Sequence, residues 1–213
     1  MIQTFSKGII DENPVCVYLL GLCPVLAVST RVIDAFAMGL TLLVILVITS
    51  TAMSAVKDHI PGRFRVFVCT AVAGACASMA DLIMQAAMPG LSDRLGIFVP
   101  LITVNTLILD RALGFAQENT PSMSFWDALG MGCGFFLTLL GVALIREVLG
   151  SGTITLVPVG RFSGVIRIPA LSESPVRVIS LSAGGFLVLG YLKAVFDLAA
   201  PATIKKSADE EEK

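Results

Sequence analysis

The feature that most constrains this chain is the run from Ala35 to Val56, which holds no charged residue. At 1.5 Å per residue such a run extends about 33 Å as a helix, and the hydrocarbon core of a bilayer is about 30 Å thick. Backbone placed in lipid has to satisfy its own hydrogen bonds, so a membrane-spanning helix is the expected form. The composition agrees: 55% of the 213 residues are hydrophobic and only 15% are charged, with a mean hydropathy of +0.87. An ordinary soluble domain has roughly 45–50% and about 25%. Soluble, disordered and coiled-coil classes are therefore excluded. A net charge of −1 provides no basic field for a nucleic acid.

Further apolar stretches run from Val66 to Pro89, interrupted only by Asp81, from Ala128 to Ile145 and from Val178 to Leu192. Two more are short and broken: Pro14–Thr30 carries Pro24, and Leu95–Leu109 carries Pro100 and Asn105. Leu20-Gly21-Leu22-Cys23-Pro24 recurs approximately as Leu95-Gly96-Ile97-Phe98-Val99-Pro100, each at the head of a group of three spans. The expected fold is thus an all-α integral membrane domain over residues 1–200. It has six transmembrane helices, at about 14–30, 35–56, 66–89, 95–109, 126–146 and 177–199, arranged as two inverted three-helix repeats with broken first and fourth helices. Interrupted segments at matching places in two halves point to a site near the membrane midplane. Non-helical backbone at that depth survives only against protein or a cavity, so the two breaks should face partner protein or each other.

Alternating loops place nine Lys and Arg residues on the side of the termini (Lys7, Lys57, Arg63, Arg65, Arg111, Lys193, Lys205, Lys206, Lys213) and six on the other (Arg31, Arg94, Arg146, Arg161, Arg167, Arg177). This favours cytoplasmic termini. Residues 149–177 form the longest extramembrane loop, with alternating apolar residues at Ile154–Val157 and Val165–Ile168 that suggest a short hairpin. Residues 201–213 read as a charged, disordered tail. Lys7, Asp11 and Glu12 precede the first apolar run, and no cleavable secretory signal is expected.

Cys23 precedes Pro24, where a proline removes a backbone donor and is expected to kink or stop the helix beside the thiol. A cysteine on a broken helix at mid-bilayer depth is a candidate soft-metal ligand, and a buried packing residue is the alternative. Cys16, Cys69, Cys76 and Cys133 read as packing, and the odd count argues against a disulfide framework. Asn105 and Thr106 can satisfy backbone groups freed by the second break. Asp81, the one carboxylate inside the apolar stretches, is a candidate for a proton or cation path. Asp110-Arg111 and Arg146-Glu147 read as headgroup anchors at helix ends. Gly130, Gly132, Gly134 and Gly141 permit close helix contact.

These motifs resemble the E-subunit family of Rnf ion-translocating electron-transport complexes, similar also to the D subunit of the sodium-pumping NADH:quinone reductase. The resemblance runs from about Asn13 to Gly152. It is carried by Asn13-Pro14, by the two Leu-Gly motifs above, by Arg111-Ala112 with Phe115-Ala116, and by Arg146-Glu147 leading to Gly150-Ser151-Gly152. It implies a six-span subunit paired with a homologous A-type subunit of opposite topology, alongside B-, C-, D- and G-type subunits, with flavins expected only in subunits other than this one. It also implies an intramembrane 2Fe-2S cluster shared with that partner, each subunit supplying one cysteine from each of its broken helices. Cys23 occupies the first such position. At the second, the family's Thr-Asn-Cys reads Val104-Asn105-Thr106 here.

The resemblance therefore implies a bacterial inner-membrane subunit of a translocase that couples electron transfer between ferredoxin and NAD to Na⁺ or H⁺ movement, with no self-contained active site in this chain. Two other readings stay open on the residues: a structural membrane subunit without a cluster, and an inverted-repeat secondary transporter.

Overall fold

A computed structural model describes residues 13–151, 153–155, 165–167, 179 and 181–199. The helices are α1 (Leu22–Val28), α2 (Val32–Val56), α3 (Arg65–Ala87), α4 (Pro89–Leu95), α5 (Phe98–Leu101), α6 (Thr106–Asp110), α7 (Ala116–Glu118), α8 (Pro121–Ser151) and α9 (Ser182–Ala199). A 3₁₀ turn at Ile102–Val104 joins α5 to α6, and a π turn at Arg111–Phe115 joins α6 to α7. Among the described residues four helical stretches are long and apolar enough to cross a bilayer: Val32–His59, Gly62–Ala87, Phe98–Glu118 and Pro121–Ser151. Among the described residues this membrane protein is helical apart from one small hairpin.

α2 and α8 form the central pair. In lipid the apolar effect does not drive helices together, so close packing has to, and small residues permit it. A Cβ at Gly39 would lie 2.5 Å from Phe136 Cδ2, and one at Gly132 would lie 3.0 Å from Leu43 Cγ. Gly39, Gly132 and their neighbours thus bring the two backbones together, and Met38, Leu42, Leu46, Met131, Phe135 and Leu139 are sealed between the surrounding helices. Gly141, the last of the four expected contact glycines, meets nothing within 4 Å. Three hydroxyls on these helices return to their own backbone: Thr41 to Ala37 O (2.8 Å), Thr51 to Val47 O (2.7 Å) and Thr138 to Gly134 O (2.9 Å).

Contacts at the two ends sort the connections. At one end Ser54 Oγ and Lys57 Nζ both donate to Asn119 O, at 2.8 and 2.9 Å, joining the α2–α3 turn to the α7–α8 turn. At the other, Arg94 pairs with Asp34 at 3.2 Å and the end of α8 meets the α1–α2 connection. The hairpin expected beyond α8 is present, with Thr153–Thr155 antiparallel to Val165–Arg167 and Ile154 opposite Ile166. Val157 and Ile168 of that reading, and the 201–213 tail, lie outside the described residues.

Several spans differ from their sequence bounds. The fifth runs from Pro121 to Ser151, longer than 126–146 at both ends, because Pro121 suits a first helical turn that needs no donor. The fourth extends to Glu118 as a chain of short helical pieces. Within 14–30 only Leu22–Val28 is helical, preceded by turns in which the Asn13 side chain accepts from Val15 N–H and Cys16 N–H, each at 3.1 Å.

Candidate functional site

The two breaks meet. Leu19 (φ 54°) and Gly21 (φ 70°) are both left-handed, which ends the turns before α1 and lets that helix start afresh at Leu22. A glycine is required at 21 on two counts. L-residues resist this φ, and a Cβ here would lie 2.9 Å from Phe135 Cε2. Phe135 sits midway along α8, so the break is packed deep in the bundle.

Pro24 is the third residue of α1 and Pro100 the third of α5. The expectation that Pro24 stops the helix beside the thiol is corrected: it lies in a first turn, where the missing N–H has no partner to lose. The backbone is turned upstream instead, at Gly21 in the first case and at Gly96 (φ 43°) in the second. The two Leu-Gly motifs therefore build the same device, a positive-φ glycine followed by a short helix with proline in its first turn.

The second break proper is at Asn105, whose extended backbone (φ −66°, ψ 129°) interrupts the 3₁₀ and α6 turns. Its Oδ1 accepts from Leu107 N–H at 2.9 Å and caps α6. Thr106, first residue of α6, accepts from Gly21 N–H through Oγ1 at 3.1 Å. One break thus satisfies a backbone donor freed by the other.

Between them opens a cleft of about 120 Å³ walled by Pro24, Met38, Phe98, Leu101 and Ile102, with Cys23 and Thr106 on its lining and both residues exposed on the chain's surface. The walls are apolar, and the Asn105 side chain is committed to its cap. Cys23 is the one cysteine on this lining: Cys16 and Cys69 are buried elsewhere, Cys76 and Cys133 are half-buried, and all five are free thiols. Among the described residues no group of three or more His, Cys, Asp or Glu side chains could hold a metal ion. An iron–sulfur group here would find one thiolate from this chain. The Thr106 hydroxyl, a poor iron ligand beside a thiolate, already accepts a backbone hydrogen bond. The donor set fits a shared site at one position and not at two.

The remaining candidates lie elsewhere. Asp81 is half-buried on α3 and accepts from Gln85 Nε2 at 2.8 Å, one turn along a helix whose face carries exposed Met79, Leu82 and Ile83. Arg111 is largely buried, pairing with Asp110 at 3.3 Å and Asp127 at 3.9 Å and lying over the Tyr18 ring. Arg146 and Glu147, read as headgroup anchors, are each only 1% exposed and bond within the protein. Sequence reasoning missed this pair. The uncharged run ends at Ile145, so no local sign in the sequence shows that this pair lies inside α8 rather than at its end.

Comparison with known proteins gives a consistent picture. Residues 1–193 match the Rnf-Nqr family, described as an Rnf-Nqr subunit and membrane protein. The chain is 40% identical over 190 residues (89% of this chain, 92% of the relative) to the E subunit of the Na(+)-translocating ferredoxin:NAD(+) oxidoreductase complex of Acetobacterium woodii. It is 38% identical over 191 residues (90% and 85%) to the E subunit of the proton-translocating ferredoxin:NAD(+) oxidoreductase complex of Clostridium ljungdahlii. It is also 37% identical over 198 residues (91% and 89%) to the E subunit of the ion-translocating oxidoreductase complex of Methanosarcina acetivorans.

Proposed function

This chain belongs to the Rnf-Nqr membrane-subunit family, and from that premise we propose that it is the E-type subunit of an ion-translocating ferredoxin:NAD⁺ oxidoreductase. Its cleft serves as one half of an intramembrane electron-transfer site completed by a homologous partner subunit of opposite topology. The observation that carries this reading is the Cys23 thiol, exposed at a cleft formed where two broken helices meet. A thiol on the outer surface of a membrane subunit, beside apolar walls, suits a ligand shared across an interface better than a core filler. Cys23 would hold a shared 2Fe-2S cluster through one thiolate, and such a group would supply a one-electron station within the bilayer. Gly21 and Thr106 fix the helix start that presents the thiol, and the apolar walls exclude water.

Six alternating segments in two repeats, with termini on the cytoplasmic face of a bacterial inner membrane, complete the reading. The matched glycine–proline devices at residues 21–24 and 96–100 support the repeat. The coupling ion is Na⁺ or H⁺, since relatives named for each ion are similar to this chain, at 40% and 38% identity. Asp81 is the ion-path candidate of this chain, and its partial exposure on α3 beside exposed Met79, Leu82 and Ile83 favours a path along the surface of this bundle.

The test is iron and acid-labile sulfide content with electron paramagnetic resonance on the anaerobically purified complex. Cys23→Ala is expected to remove an iron–sulfur signal while leaving the complex assembled. An unchanged inventory and spectrum would make Cys23 a packing residue and this chain a scaffold.

A further inference from the structure

α1 is seven residues long, and isolated helices shorter than about 12–15 residues are marginal even with favourable sequences. Something outside α1 therefore has to hold it. At its start the holder is Thr106, through Gly21 N–H. At its end the holder is a buried guanidinium.

Arg146 Nη1 donates to Leu26 O at 2.9 Å and to Ser29 Oγ at 2.6 Å, Nε donates to Ile179 O at 3.1 Å, and Nη2 donates to Leu181 O at 3.0 Å. Among the described residues, three of these four acceptors are main-chain carbonyls, one of them from the last turn of α1, where carbonyls have no partner inside the helix. Its neighbour Glu147 accepts from Val32 N–H at 2.6 Å, the first amide of α2, which equally lacks an intrahelical partner. Two adjacent residues of opposite sign thus serve two helix ends of opposite polarity, the cation at a C-terminus and the carboxylate at an N-terminus. The contact is shaped to close tolerance: a Cβ at Gly185 of α9 would lie 3.2 Å from Arg146 Cζ and 3.1 Å from Leu26 Cδ2.

We propose that Arg146 is the positioning residue of the cleft, gripping the end of the half-helix that carries Cys23 and tying it to the entry of α9. Glu147 fixes the adjoining start of α2. These four bonds draw on three nitrogens of the guanidinium, whose five N–H donors are fixed in one plane. A lysine has three donors on one atom and cannot reach acceptors contributed by residues 26, 29, 179 and 181 together. The consequence is mechanical: α1 cannot move at its C-terminal end without moving Ile179 and Leu181, which Arg146 holds in the same grip. As far as it concerns electron transfer, the inference rests on the function proposed above.

The experiment uses the assembled complex carrying Arg146→Gln or Arg146→Lys, with two readouts. Hydrogen exchange is followed by mass spectrometry in residues 22–32 and 181–185, with residues 125–140 of α8 as the internal reference, and the line shape of any iron–sulfur resonance is recorded. Loss of one or two net hydrogen bonds raises exchange in the two gripped segments about tenfold, with α8 unchanged and the resonance shifted or broadened. Lysine fails to restore the wild-type pattern. If Arg146→Gln does not assemble, Ser29→Ala, which removes one acceptor, is expected to give a smaller change confined to the same segments. Exchange that is unaltered, or raised equally throughout the chain, overturns the proposal, as does full rescue by lysine. A local rise in a complex whose wild type shows no iron–sulfur signal keeps Arg146 as the grip on α1 and removes the electron-transfer reading instead.

Discussion

Replacing Gly21 by alanine tests whether the first break is held by backbone conformation and by packing together. At φ 70° an L-residue costs roughly 1–2 kcal/mol relative to glycine. The added Cβ would also lie 2.9 Å from Phe135 Cε2, and Phe135 is wholly buried, so ring and backbone must shift; overpacking of this kind costs about 1–3 kcal/mol. The two contributions together come to about 2–5 kcal/mol. They are separable, because Phe135→Leu removes the ring carbons in conflict and leaves φ untouched. In a heating series on detergent-solubilised complex, with retention of this subunit read by size-exclusion chromatography, Gly21→Ala is expected to lose the subunit at much lower temperature. Against a Phe135→Leu background the same substitution should cost less, by the steric part, while the conformational part persists. Wild-type retention for Gly21→Ala would refute the packing at the break. Complete recovery in the double variant would refute the conformational cost.

Other consequences follow from the same geometry. Asn105→Ala removes the α6 cap and should destabilise the chain by about 1 kcal/mol, while Asn105→Asp, which keeps the acceptor for Leu107 N–H, should cost less in the same heating series. Gly39→Leu drives a side chain into Phe136, whose ring already packs edge-on against Phe36 at 5.4 Å, and should cost at least as much as Gly21→Ala; normal retention would show that the α2–α8 pair can part. Asp81→Asn keeps a hydrogen-bonding partner for Gln85 but removes the charge. Ion uptake by vesicles should fall with ferredoxin-dependent NAD⁺ reduction retained, and unchanged uptake removes Asp81 from the ion path.

The membrane class was legible from Ala35–Val56 alone, because lipid leaves a backbone few options. The two breaks were legible because glycine and proline act locally: Leu20-Gly21 and Leu95-Gly96 do turn the chain, and the breaks do face each other. The direction of the proline effect was not legible. Whether proline ends a helix or begins one depends on the φ of a residue three or four positions earlier, and at Gly21 that backbone is packed against Phe135, far away in sequence. Arg146-Glu147 was misread for a related reason. Charges near an apolar boundary look alike whether headgroups or carbonyls receive them, and the acceptors here lie at residues 26, 29, 179 and 181. The bond from Gly21 N–H to Thr106 spans 85 residues, beyond any local pattern.

Thr106 is where the chain departs most from what its family resemblance implies, and the structure gives the departure a physical meaning. A buried main-chain N–H left without an acceptor costs about 1–3 kcal/mol, and Gly21 N–H, at the start of α1, has no partner inside its own helix. The Thr106 hydroxyl supplies that acceptor across the cleft. Sulfur accepts more weakly, so a cysteine at 106 would gain a second thiol for the cleft and weaken the bond that joins the two breaks. The two roles can be set against each other directly. Thr106→Ser retains the acceptor and should leave subunit retention unchanged; Thr106→Val removes it in nearly the same volume and should lower retention; Thr106→Cys should lower retention less than valine while raising iron bound per complex. If cysteine lowers retention and adds no iron, position 106 is a structural junction between the broken helices. If valine is as stable as threonine, the hydroxyl contributes nothing to the junction and the break at Gly21 is held by Phe135 and the Arg146 grip alone.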